Sequence, residues 1–265
     1  MPILKEVFDS LQGQFNQKDA EYKAKQQANL ISIFTDINRE LVTWFSAYSR
    51  TVKDPHRNTH VIIHSPGGDP DAAYHLGILL SEWTKGKLTF IVPRFAKSAA
   101  TLLACSADEI ILFDAAELGP IDPQIIRKDG TSFSALSLKA MLDLLNKETQ
   151  AGNTQAVAIL AEKLDPLDLG EIERTLSISK RYADALLTLR MFKEGTNEAT
   201  VKGISKKLTE GYTHHNYLIE YNEAKNLGLK VNRPFPELLS SIDELYQIQL
   251  RIGELIAIDA KLKGL

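Results

Sequence analysis

The amino-acid sequence predicts an α/β fold built on a parallel sheet, and three observations carry that prediction. Strand-length apolar runs alternate with amphipathic stretches through "THVIIHSPGG", "DPDAAYHLGILLSEW", "KLTFIVPRF", "SAATLLACSA" and "DEIILFD". The strand runs are apolar along their length, as in strands covered on both faces. The first two end in turns that lead into helices, the connection parallel strands require.

Each element has its own signals. Residues 1–28, rich in Gln, Lys and Asn, read as partly helical. In "LISIFTDINRELVTWFSAY", Leu30, Phe34, Ile37, Leu41, Trp44 and Tyr48 recur at near-heptad spacing, which predicts one helix with a single apolar stripe. "RTVKDPHRN" is a polar loop before the first strand. Asp69 suits the cap of the next helix and Pro70 its first turn. Ala72, Ala73, Leu76, Leu79, Leu80 and Trp83 form the buried face of that helix. Beyond the third strand, "GPIDPQI" is a turn, "SFSALSLKAMLDLLNKET" a helix, and residues 166–210 are mostly helical. "EAKNLGLKV" is a helix closed by Gly228 and followed by a strand. "PELLSSIDELYQIQLRIGELIAIDAKL" is a long amphipathic helix. The expected organisation is a helical N-terminal extension over 1–50, one α/β domain over 51–235, and a C-terminal amphipathic helix over 236–265.

Composition narrows the function classes. At 265 residues and 44% hydrophobic, the chain can bury a substantial core. A net charge of −3 argues against nucleic acid as a partner. The one cysteine, Cys105, excludes an intrachain disulfide framework and a cysteine-cluster zinc site. It suits a reducing compartment. No apolar stretch has signal-peptide length and none is long enough to span a bilayer. The expectation is a cytoplasmic protein with no membrane partner.

The chemistry gathers at two turns. "SPGG" at 65–68 follows one strand, and "KSAAT" at 97–101 follows the next. Adjacent glycines bare the backbone and admit positive φ, and the helix after them starts with unpaired N–H groups. Ser98 stands at a strand-to-helix junction, where by itself a serine reads as a helix cap. Turns that end consecutive strands of one sheet are neighbours. One then supplies oxyanion donors and the other, with the Ala99 N–H, a hydroxyl: the geometry of acyl transfer. Gly-x-Ser-x-Gly is absent, since Ala96 and Ala100 stand at the glycine positions.

Three segments, "VIIHSPGGDPDAA", "FAKSAATLLACSADEIIL" and "LGPIDPQ", together resemble the serine dehydrogenase proteinase family, relatives of ClpP and SppA within the ClpP/crotonase fold. "THHNYLIEYNEAKNLGLKV" is similar to that family's His-Asp-Tyr-Pro-Ile segment and the run after it. The resemblance covers residues 58–232. It implies a spiral of ββα units, Ser98 as nucleophile, and an oxyanion hole from Gly68 and Ala99, with Gly67 shaping the turn. Where the family has Met-Ser-Gly-Gly-Thr, this chain has Lys97-Ser98-Ala99-Ala100-Thr101. ClpP places its catalytic histidine about where Asp122 stands, so Asp122 is no base and reads as a carboxylate ordering its turn. Many relatives carry a membrane anchor ahead of the peptidase domain; the expectation for this chain is none, and a polypeptide substrate that is soluble or unfolded.

Two residues compete as the base for Ser98. Lys139 lies in "SALSLKAMLDLL", and SppA-like peptidases use a serine–lysine dyad. Leu136, Leu138 and Met141 would desolvate it and lower its pKa; the alternative is a solvated helix lysine. His215, in "THHNYLI", aligns with the family's histidine and suits general-base work near neutral pH; alternatively it holds the sheet edge or a subunit contact. Lys128 is a weaker rival, and Lys97 is expected to point away from Ser98. His64 is expected to hydrogen-bond near the site, His75 to lie on a helix surface, and His56 and His60 to flank a loop. Cys105 reads as core. No metal and no cofactor is expected: "SPGG" is neither a dinucleotide fingerprint nor a phosphate loop.

Three readings follow. The first is a serine peptidase acting through a Ser98 acyl-enzyme. The second is a crotonase-like acyl-thioester enzyme that does not need Ser98. The third is a catalytically silent assembly module. Leu238, Ile242, Leu245, Ile252 and Leu255 on the last helix suit a homo-oligomer in any of them.

Overall fold

Five strands meet in one parallel sheet. The computed structural model describes residues 2–52, 56–126, 132–162, 166–193, 198–212 and 214–262. A first helix, α1 (Pro2–Gln26), leads into β1 (Ala28–Ile33) and α2 (Arg39–Thr51). Next come β2 (Asn58–Ile63), α3 (Pro70–Trp83), β3 (Leu88–Val92), β4 (Phe95–Ala96) and α4 (Ala99–Ala104). Then follow β5 (Glu109–Leu112), β6 (Glu117–Leu118), β7 (Gln124–Ile126) and β8 (Ser132–Ser134). Helices α5 (Ala135–Gln150), α6 (Thr154–Ala161), α7 (Pro166–Leu189), α8 (Glu198–Glu210) and α9 (Tyr221–Asn226) precede β9 (Val231–Asn232) and α10 (Pro236–Leu262). The sheet order is β1-β2-β3-β5-β9, and every pairing is parallel.

The single helix expected through residues 30–48 is not formed. Leu30, Ile31 and Ile33 are buried in β1, where β-branched side chains fit a strand covered on both faces. Asn38 then caps α2, accepting from the Leu41 N–H at 2.9 Å. The near-heptad spacing thus joins a strand, a turn and a helix. The N-terminal stretch is helical only through Gln26 before entering the sheet, rather than a helical extension over 1–50.

The expected ββα units are present. Each long strand is followed by a short extended segment in a second layer. There Ser65 pairs with Ala96, β4 pairs with β6, and Leu118 pairs with Ile219. Helices α2, α3 and α4 pack side by side, as crossovers of one hand between successive strands require. Helices α1 and α10 pack together over the sheet side that His60 and His64 share by strand alternation. Tyr22 meets His60 Nδ1 at 2.6 Å and Tyr246 meets His64 Nδ1 at 3.1 Å. A small separate core of Ile125, Ala135, Leu138, Ile172 and Leu176 joins β7, α5 and α7. Among the described residues no helix is long and apolar enough to cross a membrane.

Candidate active site

The glycine pair is demanded twice, by backbone conformation and by space. Gly67 has φ +119° and Gly68 φ +136°, values that L side chains rarely adopt. A Cβ on Gly67 would lie 2.9 Å from the Lys97 carbonyl oxygen and from Ser98 Cβ. The glycine turn therefore sits directly on the serine turn. A Cβ on Gly68 would lie 2.3 Å from the Ile37 carbonyl oxygen. Ile37 clamps this turn: its N–H donates to Gly67 O at 2.7 Å, and its carbonyl accepts from the Asp69 N–H at 2.7 Å. That bridge turns the Gly68 N–H away from Ile37. The Gly67 N–H is taken by the buried Ser65 hydroxyl at 3.2 Å. Asp69 caps α3 through Asp71 and Ala72, with Pro70 in the first turn.

Ser98 does not act as a capping side chain. It precedes α4 with φ +50° and ψ −117° and makes no side-chain cap hydrogen bond. A serine held there stores on the order of 1–3 kcal/mol of backbone strain. The surrounding structure overrides that cost. Thr101 Oγ1 donates to Ala96 O at 2.7 Å and accepts the Gly119 N–H at 3.0 Å, and every residue of α4 is buried. Ser98 itself remains partly accessible. Among the described residues neither the Gly68 nor the Ala99 N–H donates a hydrogen bond, so both are free to meet an oxyanion.

His215 is joined to Asp122. Nδ1 and Oδ1 are 2.6 Å apart, and Asp122 is buried. An ionised carboxylate only accepts, so the bond to Asp122 places a proton on Nδ1, and in the neutral imidazole Nε2 then keeps its lone pair. Gln124 donates to the other Asp122 oxygen at 3.1 Å. The hydrogen bond to Asp122 raises the His215 pKa above the ordinary histidine value, against burial and the nearby Lys97 charge. Lys97, next to Ser98 in sequence, points along the second layer rather than at the serine. Its ammonium donates to Leu118 O at 3.1 Å and Tyr217 O at 3.3 Å, and pairs with Glu117 at 3.2 Å. Lys97 thus ties the serine turn to the loop that carries His215.

Lys139 is not desolvated: its side chain is 50% exposed and stands 3.9 Å from Glu210. Leu138 turns inward while Lys139 turns out. Lys128 falls outside the described residues. His64 is stacked on Phe34 and lies against Phe95, and its Nδ1 is engaged by Tyr246. Burial pushes the His60 pKa down to about 4. His75 is exposed. Cys105 is fully buried, which raises its thiol pKa to about 12. Among the described residues no cluster of His, Cys, Asp or Glu could hold a metal ion.

Sequence reasoning missed three contributors: Asp122 as the partner of His215, Ile37 as the clamp of the glycine turn, and Lys97 as the tether. The first left a trace, because an aspartate between prolines in an apolar turn must find a donor when buried. The other two left none: Ile37 acts through its backbone, and the partners of the Lys97 ammonium are set by the fold.

A family model described as ClpP-like SDH-type serine proteinase matches residues 45–254, wider than the 58–232 stretch that carries the motifs. Two uncharacterized proteins of Methanocaldococcus jannaschii are similar. One is 32% identical over 186 residues, 70% of this chain, and the other 31% over 191 residues, 72% of this chain. The chain spans 56% and 59% of their respective lengths. Among solved structures, a membrane-bound stomatin-specific protease in a serine-to-alanine form has a TM-score of 0.50 at 15% identity, over 80% of this chain and 82% of that one. A lysine-to-alanine form in complex with a substrate peptide has the same TM-score and identity, over 79% and 76%. At that identity the likeness is one of fold.

Proposed function

The chain belongs to the ClpP-like SDH-type serine proteinase family, and from that premise we propose that it cleaves polypeptides through Ser98, with His215 rather than Lys139 as the base. One observation carries the reading: the double-glycine turn lies against a strained serine whose side chain does not cap its helix. Ser98 Oγ attacks the peptide carbonyl carbon while its proton passes to His215 Nε2. The carbonyl oxygen becomes an oxyanion that accepts from the Gly68 and Ala99 N–H groups. Collapse breaks the C–N bond, and His215 gives its proton to the departing amine. Water, deprotonated by His215, then attacks the Ser98 ester; the bond from the acyl carbon to Oγ breaks, His215 returns its proton to Ser98 Oγ, and the acid leaves. Asp122 orients His215 and stabilises its charged form.

A polypeptide substrate is favoured by the relationship to proteinases, and by the substrate peptide held in one structural neighbour. An SppA-like lysine dyad is less favoured because Lys139 is solvated and beside a carboxylate. Self-association belongs to the same proposal; Leu238, Ile242, Leu245 and Ile252, expected on an oligomer face, are instead buried within the chain, and the support comes from exposed Ile256 and Ile258 on α10. Light scattering on eluting protein tests it, and a clean monomer would refute it.

The test of the main reading is labelling by a fluorophosphonate probe, followed by peptide mass spectrometry. Native protein is expected to carry one adduct, on Ser98, and Ser98→Ala none. No adduct on folded protein, or an adduct that survives Ser98→Ala, refutes it.

A further inference from the structure

At the N-terminal ends of β3, β5 and β9 lies a cleft of about 750 Å³, within the usual size range of small-molecule sites. Gly86, Lys87, Asp108, Glu109, Lys225 and Lys230 are among its lining residues. Both carboxylates are already committed inside the fold. Asp108 Oδ2 accepts the Leu88 N–H and the Arg190 guanidinium, each at 2.7 Å. Glu109 pairs with Lys87 at 2.7 Å and accepts from Asn232 at 3.0 Å. Arg190 is largely buried and also donates to the carbonyl of Gly86 at 2.8 Å, so its charge underlies the cleft.

Lys225 and Lys230 differ from these. Among the described residues neither has a carboxylate partner. Their ammonium groups lie over aromatic rings instead, 6.0 Å from the centroid of Tyr221 and 5.6 Å from that of Phe192. The cleft is thus lined by three lysines against two carboxylates, in a chain whose net charge is −3. We propose that this cleft binds a small molecule carrying two or more adjacent negative charges, phosphate or carboxylate, with Lys225 and Lys230 as its principal contacts. The site is independent of the peptidase reading. β3 begins beside the cleft and runs away from it toward Ser98.

Calorimetric titration of the full chain at low ionic strength tests it, with inorganic pyrophosphate in one arm and citrate in the other. Saturable one-site binding is expected. The Lys225→Gln/Lys230→Gln double variant should bind at least about tenfold more weakly, since charge-assisted hydrogen bonds are lost. The arm that binds assigns phosphate or carboxylate chemistry. Lys202→Gln, an exposed lysine on α8 paired with Glu198, should bind like native protein. An unchanged melting temperature without ligand shows that the double variant is folded. Fluorophosphonate labelling of Ser98 should be the same with and without saturating pyrophosphate. Absence of saturable binding in both arms, or equal binding by the double variant, overturns the proposal.

Discussion

Gly67→Ala is the sharpest perturbation of the candidate site. The new methyl must be carried at φ +119°, which costs about 1–3 kcal/mol in backbone strain. It must also fit 2.9 Å from Lys97 O and Ser98 Cβ and 3.2 Å from Ala99 N. These are backbone and near-backbone atoms of the serine turn and cannot swing aside. Overpacking of this kind costs about 1–3 kcal/mol more. The expected loss is about 2–6 kcal/mol, a fall in melting temperature on the order of 5–20 °C. Relief requires Ser98 to move by several tenths of an ångström. Misplacement approaching 1 Å costs about a hundredfold in rate. Gly152→Ala is the control: φ is +83° but nothing lies within 4 Å. It should lose only about 1–2 kcal/mol from the left-handed conformation and label normally. Denaturant melts and fluorophosphonate labelling rates read both effects. A Gly67→Ala protein within about 1 kcal/mol of native stability and labelled at the native rate would refute the contact argument.

Further outcomes follow from the same geometry. On the proposed reading, His215→Gln should slow labelling of Ser98 by about a hundredfold or more, whereas Lys139→Ala, at an exposed lysine, should leave it within about twofold; the reverse ranking would reinstate the lysine dyad. The native His215 pKa is raised, so stability from its charged pairing with Asp122 is fully present below the unfolded value near 6.5 and is lost as pH rises through the folded pKa. Labelling needs neutral His215 and should rise through that same interval. Asp122→Asn should move the inflection to lower pH and slow the plateau rate, and an unmoved inflection would show that another group titrates. Cys105, buried with its pKa raised to about 12, should resist iodoacetamide until the protein unfolds; rapid alkylation of native protein would contradict that burial.

The parallel sheet was legible because apolar runs and small-residue turns are local signals. Gly67, Gly68 and Ser98 could be brought together from sequence because their turns end successive strands. β1 was not legible as a strand: Leu30, Phe34 and Ile37 fall at helical spacing, and pairing with β2 decides the conformation. Lys139 looked desolvated because leucines flank it in sequence, yet neighbours in sequence point to different sides of a helix. The His215–Asp122 pair spans 93 positions, and nothing local joins such partners.

The parts of the candidate site are widely dispersed along the chain: Ile37, then Gly67 and Gly68, then Ser98 and Ala99, and last Asp122 with His215. Synthesis from the N-terminus delivers the glycine clamp and the serine early and the histidine late. A nascent or truncated chain ending before residue 215 carries Ser98 without the proposed base. On the proposed reading, topology alone would keep an incomplete copy inert, and a newly made chain would not cut itself or its neighbours before it is whole.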